Sequence, residues 1–204
     1  MSENPSPPGR TLGILLGAAA LLALAGAGYL ARTRPPEFHG TTYDAVAPAP
    51  GFALVDHTGK PATLADFRGK PVLLFFGYTH CPDVCPLTLA KLARITNSLG
   101  DEAEELRILL VTTDPRRDTP AALAEYVRRF TPQAVGLTGD SVALQRALRG
   151  YGVYTLPDEQ GGHGGMTHSQ AIYGIDREGR LQVVMDPGSR EEELRDDVST
   201  LLSL

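Results

Sequence analysis

The chain is poor in cysteine. Among 204 residues there are two, Cys81 and Cys85, four positions apart. So few thiols exclude a disulfide framework and leave two chemical uses: a local redox pair or soft metal ligands. An excess of basic charge is missing as well. Lys and Arg number 19 against 24 Asp and Glu, for a formal net charge of -5. A nucleic-acid binder needs a basic face to neutralise phosphates, and this balance argues against one. No internal repeat and no long run of like charge occurs. What remains is a chain long enough for one domain with appendages, with 42% hydrophobic residues to build its core.

One stretch is entirely without charge. Residues 12–31 read LGILLGAAALLALAGAGYLA, flanked by Arg10 on one side and Arg32 and Arg34 on the other. Twenty residues of helix rise ~30 Å, the thickness of a bilayer's hydrocarbon core. A cleaved signal peptide is the competing interpretation, because Ala23-Leu24-Ala25 and Ala25-Gly26-Ala27 resemble A-x-A cleavage sites. Signal h-regions run to only ~7–15 residues, which favours an uncleaved anchor. The flanking basic residues do not fix its orientation, since long domains translocate largely regardless of local charge. Residues 1–11 then form a short cytoplasmic segment, 12–31 the transmembrane helix, 32–50 an extended Pro-rich linker, and 51–204 the globular domain.

Within that domain, 52–55 reads as a short strand and 56–59 as a turn, with a short helical turn at 64–69. Residues 71–76 form a continuous apolar run, the mark of a strand buried on both faces. Helical spacing follows over 86–99, with Leu89, Leu92, Ala93 and Ile95 on one stripe. A second buried strand spans 106–113. Thr119-Pro120 then opens a helix reaching 130, as an N-cap with proline at the first helical position. A short third parallel strand is expected at 135–137 and a helix at 140–148. Strands at 171–176 and 181–186 form a hairpin, and a helix with Glu191, Glu192 and Glu193 in its first turn closes the chain. This is an α/β layering around a mixed sheet, in the element order of the thioredoxin-like fold. Chemistry in such sheets collects beyond the carboxyl ends of the strands, and Cys81 follows one of them.

The cysteines lie in Gly77-Tyr78-Thr79-His80-Cys81-Pro82-Asp83-Val84-Cys85-Pro86. Because Pro86 lacks an N–H, the helix is expected to begin there, with Cys85 as its N-cap and Cys81 on the turn before it. Both sulfurs would then sit at a helix N-terminus, whose partial positive charge favours thiolate. Their polar, turn-forming neighbours speak against two inert, packed cysteines. A structural zinc site would lack a complete tetrahedral ligand set.

The run GYTHCPDVCP, the later DPRRDTP of 114–120 and Thr167-His168-Ser169 together resemble the Sco/SenC family of copper chaperones. The resemblance covers about residues 48–204. It implies a thioredoxin fold on one N-terminal span, with copper carried by Cys81, Cys85 and His168. It further implies a role in maturing the binuclear copper centre of cytochrome c oxidase, by delivering copper or reducing target cysteines. The expected partner is the copper-bearing oxidase subunit or another copper chaperone. The expected place is the inner membrane, with the domain on the periplasmic side. Soft thiolates select Cu(I) and imidazole accepts either copper state, which is consistent with that ligand set.

Asp114 is assigned by the resemblance an outer-sphere or weak-ligand role; turn capping is the alternative. Asp118 is expected to orient the Arg116-Arg117 turn or the helix after it. Tyr78 is expected to pack beside the motif. His80 should be a rim residue, since adjacent side chains point apart. His163 and Met166, within the glycine-rich stretch before His168, are alternative ligands, and His39 is expected to be solvated in the linker. The rival function is a membrane-anchored thiol-disulfide oxidoreductase, using Cys81 and Cys85 as attacking and resolving thiols without copper. On the chaperone reading the chain is not an enzyme.

Overall fold

The structure is a computed structural model describing residues 14–17, 19, 22, 36–43, 45–157, 166–168 and 170–204. The chain divides into two units, Met1–Pro36 and Glu37–Leu204. In the first, the described residues 14–17, 19 and 22 are helical. Most of the expected anchor at 12–31 lies outside the described residues. Among those described, no helix is long and apolar enough to cross a membrane.

The second unit is built on an eight-stranded mixed sheet. Its strands are β1 (Ala47–Pro48), β2 (Ala53–Asp56), β3 (Pro61–Thr63), β4 (Val72–Gly77), β5 (Arg107–Thr112), β6 (Ala134–Thr138), β9 (Ile172–Ile175) and β10 (Arg180–Met185). They lie in the order β1-β10-β9-β4-β5-β6-β2-β3. A separate two-stranded ladder joins β7 (Thr155–Pro157) to β8 (Met166–His168). The helices are α1 (Val84–Ser98), α2 (Pro120–Val127), α3 (Ser141–Gly150) and α4 (Glu191–Leu202). β4, β5 and β6 run parallel, and β9 is antiparallel to β4.

The apolar run of β4 is buried on both faces because its side chains alternate between two cores. Leu74 and Phe76 pack with Leu109, Val111, Leu144 and Leu148 on the α3 side. Leu73 and Phe75 pack with Leu89, Leu92, Leu123 and Val198 on the side of α1, α2 and α4. The mixed α/β thioredoxin-like arrangement read from the sequence is the fold observed.

Two expectations change. α1 begins at Val84 with Asp83 at the N-cap, so Cys85 lies inside the first turn. Pro86 is tolerated there because the first N–H groups of a helix have no intrahelical acceptor, and its missing donor breaks no ladder bond. The linker expected over 32–50 is, from Glu37 onward, part of the compact unit. Thr41 exchanges two 2.8 Å backbone hydrogen bonds with Val184, and β1 pairs with β10. The buried carboxylate of Asp197 accepts from His39 N at 2.6 Å and Gly40 N at 3.0 Å. Unpaired donors on the edge of β10 and on the entering chain give this segment its reason to dock rather than stay extended.

Candidate metal and thiol site

The carboxyl ends of β4 and β5 and the N-terminus of α1 meet at one edge of the sheet. Thr113 N donates to Gly77 O at 2.8 Å, holding the two strand ends together. After Gly77 the chain turns, with Cys81 N donating to Tyr78 O at 3.2 Å. It then enters α1, where Cys85 N donates to Cys81 Sγ at 3.4 Å. The two free cysteines are therefore neighbours in space, but their settings differ: Cys81 is half-buried and Cys85 is buried. A methyl group added at Gly77 would lie 2.7 Å from Cys85 Sγ, so the strand passes directly against that sulfur.

Burial governs the Cys85 thiol. It pushes the pKa up to about 12; a hydrogen bond from the Tyr78 backbone opposes this, and the nearby Cys81 and Asp118 add to it. The helix N-terminus was expected to favour thiolate; at Cys85 burial acts in the opposite direction and keeps the thiol protonated. A metal at this sulfur must displace its proton.

The principal carboxylate behind the motif is Asp118, which is fully buried. Its Oδ2 accepts from Thr79 N at 3.1 Å and from Thr112 Oγ1 at 2.6 Å, and its Oδ1 accepts from Thr79 Oγ1 at 2.5 Å. Asp118 thus ties the cysteine-bearing turn to the end of β5, a wider role than ordering the turn in which it lies. The sequence hint was the pair of threonines, Thr79 and Thr112, each at a strand's carboxyl end. Asp114 is at the same edge, with its carboxylate accepting from the Arg117 guanidinium. The Arg117 side chain in turn lies over the buried Tyr78 ring, 6.0 Å from its centroid. Tyr126 of α2 was not singled out from the sequence. Burial raises its phenol pKa, reinforced by Cys85, Cys81 and Asp118, which places the ring within electrostatic reach of both sulfurs.

His168 ends β8, paired with Thr155. Its side chain lies outside the described part of the structure, as does His163 entirely; Met166 opens the same strand. The chain lies at the cysteine edge two residues after His168. Ile172, at the start of β9, pairs with Phe75 near the end of β4. Gln170, two residues on from His168, lines a small cavity together with Cys85, Val84 and Pro187. An open groove of about 390 Å³ continues from there along α1, past Leu87 and Lys91. His39 is not free in a linker: its Nε2 lies 3.5 Å from Asp196.

Residues 41–203 match the SCO1/SenC family profile. The chain belongs to the SCO1/SenC family. Among its relatives, this SCO1/SenC chain is 39% identical over 151 residues to the mitochondrial SCO2 homolog of Bos taurus, covering 72% of this chain and 57% of that protein. It spans about half the length of the curated relatives it matches, 57%, 52% and 47% for three SCO2 homologs. Its fold superposes on ScoI of Bradyrhizobium japonicum, solved with copper bound, with a TM-score of 0.69 and 35% identity, covering 76% of this chain and 99% of that one. ScoI of Arabidopsis thaliana, also with copper bound, gives a TM-score of 0.72 at 30% identity, over 77% and 99% of the two chains.

Proposed function

We propose that this SCO1/SenC chain carries copper on Cys81, Cys85 and His168, and that it serves the maturation of the binuclear copper centre of cytochrome c oxidase. The observation that carries the proposal is the joining of two free cysteines by the Cys85 N–H···Sγ contact, at a sheet edge where Gln170, two residues after His168, lines a cavity with Cys85. The copper-bound relatives support it. The donor set also fits the cargo: two thiolates hold Cu(I), an imidazole extends the site to Cu(II), and three ligands leave a side open to an incoming ligand of the recipient. Asp114, held by Arg117, acts from outside the ligand set by ordering the turn behind the motif.

The partner is the copper-bearing oxidase subunit or another copper chaperone. The chain is held in the inner membrane by the apolar span 12–31, with its domain on the periplasmic side, where the compartment permits both thiol oxidation and copper supply. The length of this uncharged run, 20 residues, supports the reading.

The copper affinity of the purified chain tests the proposal. Cys81→Ala or Cys85→Ala should abolish tight Cu(I) binding, and His168→Ala should weaken Cu(II) binding by at least tenfold. Unchanged Cu(II) affinity in His168→Ala would sink the three-ligand site. One observation favours thiol exchange as a second reading: the half-buried Cys81 is the more open to attack, and the second thiol, on the buried Cys85, belongs to the residue whose N–H donates to the Cys81 sulfur. Rapid reduction of a partner disulfide by a chain that binds no copper would select that reading.

A further inference from the structure

His80 precedes Cys81 directly, and its hydrogen bonds bear on what its ring can do. Its Nδ1 lies 2.9 Å from Thr79 Oγ1. The Thr79 hydroxyl has a single hydrogen, and it is directed to Asp118 Oδ1 at 2.5 Å. That carboxylate accepts at every contact it makes: Thr79 N is an obligatory donor, and Thr112 Oγ1 accepts from Asp114 N at 2.9 Å while donating its own hydrogen to Asp118. The Thr79 oxygen therefore has only lone pairs to offer His80, and the imidazole must place its N–H at Nδ1. In the neutral ring this leaves Nε2 bare, with its lone pair available. No hydrogen bond or ion pair engages Nε2 among the described residues, and the side chain is 57% exposed.

An imidazole whose far nitrogen donates toward a buried carboxylate, leaving the near one unprotonated, has the outer-shell arrangement of a histidine that binds metal. Here one threonine hydroxyl is inserted into the relay. Because Asp118 also fixes Thr79 N, the same carboxylate holds the backbone from which His80 and Cys81 project.

We infer that His80 is an entry and exit ligand for copper, taking the ion through Nε2 at the mouth of the site while it passes to or from Cys81 and Cys85. This rests on the copper-carrying reading above. The step is a ligand exchange with no change of oxidation state. Copper exchanges its bond to the incoming carrier's ligand for one to His80 Nε2, then exchanges that for the Cys85 sulfur, whose proton leaves to water. Thr79 and Asp118 are positioning residues in this scheme.

Two measurements on the full chain in detergent test it, with Cu(I) as the probe. In His168→Ala, imidazole scattering should persist in the copper X-ray absorption spectrum, and it should vanish in the His80→Ala/His168→Ala double variant. In stopped flow, His80→Ala should release Cu(I) to bathocuproine disulfonate at least fivefold more slowly than wild type. Thr79→Val should slow release in the same direction and Thr79→Ser should restore it, a pattern that a merely structural threonine would not give. Copper-loaded His168→Ala without imidazole scattering, or wild-type release rates in His80→Ala, would overturn the inference and leave the copper reading standing. Failure of the wild-type chain to bind copper would overturn both.

Discussion

Gly77 ends β4 against the sulfur of Cys85, and that contact explains much of the asymmetry between the two thiols. The absence of a side chain lets the strand close over Cys85, and burial then keeps its proton on. Gly77→Ala would place a carbon 2.7 Å from Cys85 Sγ and 3.1 Å from Leu110 Cδ1. We expect it to destabilise the domain by about 1–3 kcal/mol, the usual cost of overpacking, as measured by denaturant unfolding. The motif and its two cysteines were legible in the sequence, because their type and spacing are local. The burial of Cys85 was not, because it depends on β4, a strand eight residues earlier in the chain. The full reach of Asp118, expected only to order its own turn or the helix after it, was hidden for the same reason. Its role comes from Thr79 and Thr112, which only the packing of β4 beside β5 brings together.

At the scale of elements, the β9–β10 hairpin depends on one carboxylate. Asp176 accepts from Glu178 N and Arg180 N through Oδ1, and from Arg180 Nε and Gln182 Nε2 through Oδ2. Gly179, with φ 82°, supplies the left-handed residue the turn needs. Burial raises the Asp176 pKa, but the hydrogen bonds from Arg180 and Gln182 outweigh it and hold the carboxyl below its ordinary value. A depressed folded-state pKa gives stability that is present above the unfolded value, about 3.9, and lost as pH falls through the folded one. Asp176→Ala should cost about 2–4 kcal/mol at pH 7, since it also strips the buried Gln182 amide of an acceptor. Its unfolding free energy should fall less steeply than wild type as the pH drops below about 4. A parallel acid profile would show that Asp176 does not carry the linkage. The hairpin was expected from its turn and flanking apolar residues. The β7–β8 ladder was not, because its short strands are separated by a glycine-rich stretch with no alternating pattern.

For the whole molecule, the segment between the apolar span and the sheet changes character at Glu37. A chain starting at residue 37 keeps the donors to Asp197 and the Thr41–Val184 pairing, and should unfold with the midpoint of the full chain. A chain starting at residue 51 leaves the buried Asp197 carboxylate without those two donors and exposes the edge of β10. It should lose about 2–4 kcal/mol, by the cost of an uncompensated buried acceptor. Equal midpoints for the two truncations would show that the docked segment contributes nothing to stability.

The sequence alone determined the alternation of strands and helices, the double burial of β4 and β5, and a cysteine pair fit for thiol redox or soft-metal chemistry. Each of these is written in residue type and short-range spacing. The tertiary structure decided which carboxylate supports the motif, which thiol is desolvated, and that residues 37–49 belong to the domain. Those outcomes turn on groups brought together from distant parts of the chain: Asp118 lies 39 positions from Thr79, and Asp197 lies 158 from His39. Only the closing of the sheet and the packing of α4 bring such groups within hydrogen-bond reach, and no local pattern records it.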